Sequence, residues 1–178
     1  MSTHNLSWIK THYFLLDSMP TTTAAALTGE LDGVNTSSGG SMTSNVAESY
    51  RLDEDGFSEK ASTTANIENF DITLDRKADV IFTSSGTDAY SRLRNWFETN
   101  RKTQKVLVEL IYRGMIGATP VATWEGRAYR VSIVGVTDGD KSGDDVQRVN
   151  ASFAVSGKIT NLVITRSQDG TFTAALPS

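Results

Sequence analysis

Hydrophobic residues in this chain recur at every second position in several separate stretches, and at helical spacing in only one. Phe70, Ile72 and Leu74 alternate with Asp71, Thr73 and Asp75. Val149, Ala151, Phe153 and Val155 alternate with Asn150 and Ser152. A two-residue period is that of a strand with one face buried. Ala89, Leu93, Trp96 and Phe97 instead fall at i, i+4, i+7 and i+8, one stripe of a helix. Thr87 or Asp88 is positioned to cap it, and Arg101 and Lys102 suit the negative end of its dipole. The pattern predicts a helix over residues 88–102.

Further strands are expected at Ala78–Thr83, Lys105–Tyr112, Val146–Gly157 and Thr160–Arg166. Val121–Val136 reads as a hairpin turning at Glu125-Gly126, because glycine there looks like a turn signal. The apolar patch around Trp8, Ile9 and Tyr13–Leu16 reads as another strand. Short connections between strands favour antiparallel pairing. The expected fold is mainly β, an antiparallel sandwich or barrel with one flanking helix, in a single domain spanning residues 1–178.

Composition divides the chain. Residues 18–66 hold eight Ser, eight Thr and five Gly, with two basic residues against seven acids. That zone is net −5 and the rest of the chain is net +1, giving the overall −4. So polar a segment cannot build a core by itself. It is read as a long arm or loop, with short strands at Ala24–Leu31 and Glu48–Leu52. The polar stretch 167–178 is expected to be a flexible tail.

The acidic balance argues against a dedicated nucleic-acid binder. The absence of cysteine removes disulfides, thiol nucleophiles and thiolate zinc sites. His4 and His12 are the only histidines, and no G-x-S-x-G elbow or phosphate-binding glycine loop is present. No catalytic, cofactor or metal residue is assigned, and no enzymatic activity is expected. Asp138, Asp140, Ser142 and Gly143 match the start of a calcium loop, but Val149 stands where its bidentate Glu belongs. A hairpin turn is the simpler reading of residues 138–145. Apolar runs are too short for a membrane span. The opening MSTHNLSWIK lacks the pattern of a signal peptide, so a cytoplasmic origin is expected.

The order of features resembles the tail tube (major tail) proteins of long-tailed bacteriophages. The resemblance lies in ENFDITLDRK, the single helix DAYSRLRNWFETN, VLVELIYRG, ATWEGRAYRVSIVGV, a Gly/Asp loop and VQRVNASFAVSGKITN. It covers residues 67–165 in texture and 6–66 by position only. The resemblance implies hexameric rings, stacked into a hollow tube through which double-stranded DNA passes without specific binding. It implies as partners other copies of the chain and the tape-measure, initiator and terminator proteins of the tail. It implies assembly in a bacterial host cytoplasm and a place in the virion tail. Tube proteins of related secretion systems share the fold.

On that reading the polar face of the sheet would line the lumen. By alternation its residues are Asn69, Asp71, Thr73, Arg130, Ser132, Asn150 and Ser152. Contacts between subunits would fall on the acidic arm, at Glu48, Arg51, Asp53, Glu54 and Asp55, and on the basic helix, at Arg92, Arg94 and Arg101. The competing reading is a monomeric β-sandwich that binds carbohydrate or protein. It needs an exposed aromatic platform, for which Trp8, Trp124 and Tyr129 are the candidates.

Overall fold

A computed structural model describes residues 11–39, 43–45, 50–52, 58–60, 64–66, 69–75, 82–116, 121–138 and 147–178. In chain order the strands are β1 (His12–Leu16), β2 (Ala25–Ala26), β3 (Val34–Gly39), β4 (Thr43–Asn45), β5 (Tyr50–Leu52), β6 (Ser58–Lys60), β7 (Thr64–Asn66), β8 (Asn69–Asp75), β9 (Lys105–Ile116), β10 (Val121–Asp138), β11 (Arg148–Arg166) and β12 (Phe172–Ala175). One helix, α1 (Ala89–Asn100), lies between β8 and β9. The fold is mainly β: an antiparallel sheet curled into a half-barrel, with a single helix among the described residues.

The sheet runs in the order β1-β9-β10-β11-β12-β2. The 19-residue β11 serves two neighbours on one of its edges. Arg148–Ala154 pair with β8, and Val163–Arg166 pair with β12. Between those stretches Gly157 takes φ +79°, a left-handed conformation that favours glycine. Register shifts between Ala128 and Arg130 and between Ile133 and Gly135 interrupt the β10–β11 ladder. Such irregularities increase local twist and let a strand bend.

Two cores form on opposite faces of the same strands. On β1, Tyr13 and Leu15 enter one core and Phe14 the other. On β9, Leu107 enters the first while Val106, Val108 and Leu110 enter the second. Burial on both faces explains why KVLVELIY is nearly continuous in apolar residues rather than alternating.

The first core lies between the sheet and α1. The Asp88 carboxylate accepts from Ser91 N at 2.8 Å and caps the helix. Leu93 and Trp96 are buried against Phe153, Leu107 and Val131 in that core. Trp96 stacks on Phe153, with ring centroids 6.0 Å apart. Its indole N–H donates to Thr103 O at 2.9 Å. The second core is closed by β12 and β2, with Phe172 and Ala174 packed on Phe14, Trp124, Ala128 and Leu162.

The helix and the Phe70-Ile72-Leu74 strand fall where the sequence places them. Three expectations are corrected. No turn occurs at Glu125-Gly126, and β10 is one 18-residue strand. Gly126 is a packing position rather than a turn, because a Cβ there would meet the Ile164 side chain at 2.5 Å. From Arg148 on, residues 146–157 and 160–166 belong to one strand, with Gly157 in a left-handed conformation inside it, and residue 146 lies outside the described residues. The expected flexible tail holds β12 and part of a core. Of the strand expected at Ala78–Thr83, residues 78–81 lie outside the described residues, and Phe82 and Thr83 are not in a strand. The strand expected at Ala24–Leu31 contracts to β2 and one bridge, Phe14↔Glu30.

Candidate assembly surfaces

Among the described residues, one half of the sheet is covered on both faces and the other half on one. Around β8, the first half of β11 and the second half of β10, the face opposite the helix has among them no counterpart of the cover that β12 and β2 give the second core. Phe70, Ile72, Leu74, Val131, Ile133, Val149, Ala151 and Phe153 all point into the first core. Strict alternation turns their neighbours outward. The ladders pair Thr73 with Asn150, Asp71 with Ser152, and Asn69 and Ser132 with Ala154. Arg130 pairs with Ser156 one step further on. Asn69, Asp71, Thr73, Arg130, Ser132, Asn150 and Ser152 thus share one face. The Thr73 hydroxyl donates to Asn150 Oδ1 at 2.9 Å across it.

That face carries short polar side chains and one charge of each sign among the seven, Asp71 and Arg130. At its rim Arg148 faces Asp75 at 3.7 Å, another neutralised pair. The negative charge of the chain is therefore not concentrated there.

The arm has its own order. The register of β3 on β8 gives partner numbers that add to 109 from Thr36↔Thr73 through Gly39↔Phe70. The separate β4–β7 pair, Thr43↔Asn66 to Asn45↔Thr64, keeps the same total. The β5–β6 pair, Tyr50↔Lys60 to Leu52↔Ser58, differs by one. The three described pairs thus share one register, with a single-residue shift, as the two legs of one hairpin do. Within the last pair Arg51 stands opposite Glu59. Glu48, Asp53, Glu54 and Asp55 lie outside the described residues.

Two of the three basic helix residues are engaged within the chain. Arg92 donates from Nη2 to Gly29 O at 2.6 Å and from Nη1 to Glu30 O at 3.2 Å. Burial pushes its guanidinium pKa down, against the pull of Asp17 and Asp88. Arg94 binds Glu98 at 2.7 Å and the Tyr90 hydroxyl at 2.8 Å, and lies over the Phe82 ring. Arg101 is exposed at the helix C-cap. Arg92→Ala is expected to cost about 1–2 kcal/mol by removing two charge-assisted bonds. Arg101→Ala should stay within about 0.5 kcal/mol of the parent. Urea unfolding of the isolated chain checks this, and equal midpoints would show that Arg92 does not staple the helix to the Gly29–Glu30 segment.

A polar network went unrecognised in the sequence. The Tyr129 hydroxyl donates to Glu109 Oε2 at 2.9 Å and the Tyr13 hydroxyl to Glu109 Oε1 at 3.1 Å. Tyr13 also shares a 2.6 Å hydrogen bond with Ser37 Oγ. Burial, then the Glu109 charge, raises the pKa of both phenols. Alongside, Glu125 is held by Arg113 and by Arg127 at 2.7 Å, and these bonds lower its carboxyl pKa. Spacing offers no signal here, since Tyr13 and Glu109 are 96 positions apart.

The aromatic platform expected of a binding module is corrected. Trp124 and Tyr129 are 8% and 1% exposed, one in each core, and Trp8 lies outside the described residues. Among the described residues no group of three His, Cys, Asp or Glu side chains is arranged to hold a metal ion. Asp138 ends β10, and residues 139–146 of the acidic loop lie outside the described residues. No described helix is long and apolar enough to cross a membrane.

No family model matches the chain, and no curated protein sequence matches it. Among solved structures, a crystal structure of Hcp protein is similar over 85% of this chain and 96% of that one, at 8% identity and a TM-score of 0.44. Similarity that loose carries no statement about activity.

Proposed function

We propose that this chain is a non-enzymatic structural subunit that assembles with copies of itself into stacked rings and a hollow tube. The observation that carries the reading is the two-sidedness of the curled sheet. Among the described residues, one face is covered by α1, and the other, over β8, the second half of β10 and the first half of β11, is open, polar and nearly uncharged. On this reading Asn69, Asp71, Thr73, Arg130, Ser132, Asn150 and Ser152 line the lumen. One edge of the sheet supports assembly. Among the described residues β3 pairs only with β8, so its outer edge offers backbone groups to another chain. A head-to-tail contact that closes makes a ring, and one that does not makes a filament.

The finer reading follows the resemblance to phage tail tubes. The rings are hexameric, the tube belongs to the virion tail, and subunits assemble in a bacterial host cytoplasm. Tape-measure, initiator and terminator proteins are the partners. DNA crosses a face with almost no basic groups to retain its phosphates. The second reading is a tube protein of a related secretion system. The near-neutral face favours it, since it offers phosphates no particular repulsion.

Negative-stain electron microscopy across a concentration series tests the shared core of both readings. Rings or hollow tubes are the expected result. Monodisperse monomers at the highest soluble concentration, with or without a preformed ring as a seed, would overturn it.

A further inference from the structure

Strands β1 and β3 stand at opposite ends of one path through the sheet, β1-β9-β10-β11-β8-β3. Among the described residues no ladder joins them. The sheet nevertheless curls far enough for two of their side chains to meet. The Tyr13 hydroxyl of β1 lies 2.6 Å from Ser37 Oγ of β3. Ser37 stands opposite Ile72 in the β3–β8 register, and residues directly opposite share a face. Ile72 and Tyr13 both belong to the first core, so the bond crosses the inner side of the curl. The Tyr13 ring also meets the Phe70 ring of β8, with centroids 6.0 Å apart.

The hydrogens of this contact have one arrangement. A carboxylate only accepts, so the Tyr13 hydroxyl donates its single hydrogen to Glu109 Oε1 at 3.1 Å. Tyr129 donates to the other oxygen at 2.9 Å. Ser37 is therefore the donor in the 2.6 Å bond, and Tyr13 the acceptor. Tyr13 is 3% exposed and anchored on Glu109, so it offers its lone pair to β3 from a fixed position.

Strand β3 is weak without such a tie. Its sequence, Val34-Asn35-Thr36-Ser37-Ser38-Gly39, holds one large apolar residue, and Asn and Gly are depleted in strands. Among the described residues its one ladder is with β8, and that ladder slips between Val34 and Thr36. Strands with few apolar contacts open at low free energy. We propose that the Ser37–Tyr13 hydrogen bond is a clasp that keeps β3 on β8 and sets how often the strand opens. An open β3 uncovers the edge of β8, with Phe70, Ile72 and Leu74 beside it, as a template for a strand of another copy. The clasp leaves the outer edge of β3 accessible and keeps that of β8 closed. It operates in the single chain, whether or not copies stack into a tube.

Amide hydrogen exchange on the full chain, followed by NMR at a concentration where it is monomeric, tests the clasp. Ser37→Ala removes the donor hydroxyl and leaves Tyr13, Glu109 and Tyr129 in place. The β3 amides protected by the β8 ladder should then exchange about fivefold faster, the factor that one net hydrogen bond carries. Amides of β9 and β10 should keep the parent rates. Ser38→Ala is the control: Ser38 stands opposite Asp71, on the other face, and its loss should leave β3 at the parent rates. Tyr13→Phe should speed β3 at least as much as Ser37→Ala. Adding Ser37→Ala to it should change β3 no further, because the bond is already gone. The clasp is overturned if β3 is unprotected in the parent, or if Ser37→Ala leaves its exchange unchanged. It is equally overturned if Ser38→Ala gives the same rise, if β9 and β10 share the rise, or if the double variant is additive.

Discussion

A chain ending at Arg166 should fail to form its second core and should not unfold cooperatively. The lost segment carries β12, whose Phe172 and Ala174 are 5% and 1% exposed. The Phe172 ring contacts His12 and Trp124 at 5.0 Å each and Phe14 at 6.1 Å. Phe172 O accepts from Leu27 N at 2.8 Å, and Thr21 O accepts from Leu176 N at 2.8 Å. Strand β2 pairs only with β12 among the described residues, so truncation removes its anchor as well. Phe172→Ala alone should cost about 3–5 kcal/mol, the usual loss for a buried aromatic. A domain with ~5–15 kcal/mol of stability can lose most of its margin that way. Near-UV circular dichroism during urea unfolding reads both variants. A truncated chain with the parent midpoint would show that β12 adds nothing to the core.

That segment shows why the sequence misleads at its C-terminal end. SQDGTFTAALPS contains one large aromatic among small and polar residues, which is the composition of a tail. Its order comes from pairing with Val163–Arg166 and from a core built by β1, β9 and β10, none of which local patterning reveals. Gly126 misleads for a related reason. A glycine between two apolar runs signals a turn, but here a Cβ would crowd the Ile164 side chain packed over the position. Where local and tertiary forces agree, the reading is sound. Phe70, Ile72 and Leu74 alternate because one sheet face is buried, and Ala89, Leu93 and Trp96 recur at helical spacing because one helix face is.

The candidate surfaces divide in the same way. Period-2 alternation is a backbone property, so the seven polar positions could be assigned to one face before their strands were placed side by side. Which strands neighbour one another is set by register, and that required the ladders of β8 and β10 on β11. Arg92 looks like a solvated helix residue, because nothing in its own helix announces the carbonyls of Gly29 and Glu30, 63 and 62 positions away. The acidic arm is legible as composition, and its paired register is not.

Replacing Trp96 with alanine is expected to be the most damaging single change in the helix. Its side chain is 2% exposed, stacked on Phe153, with Lys105 Nζ 5.8 Å from its ring centroid. Removing the indole opens a cavity between α1 and β11 and leaves Thr103 O without its donor. Together these should cost about 3–5 kcal/mol, with the cavity as the larger part, since one neutral hydrogen bond contributes only about 1 kcal/mol. Trp96→Phe separates the two: it keeps most of the stacking area and loses only the N–H, so it should cost less than half as much. The helix covers the first core, so a chain that loses it exposes Leu107, Val131 and Phe153 together. Such a chain should aggregate without order rather than form rings. Denaturant midpoints for the two variants, with electron micrographs of each, decide the matter. Equal losses would place the energy in the Thr103 bond. Ordered assembly by Trp96→Ala would mean that the helix is dispensable to the sheet surfaces through which copies meet.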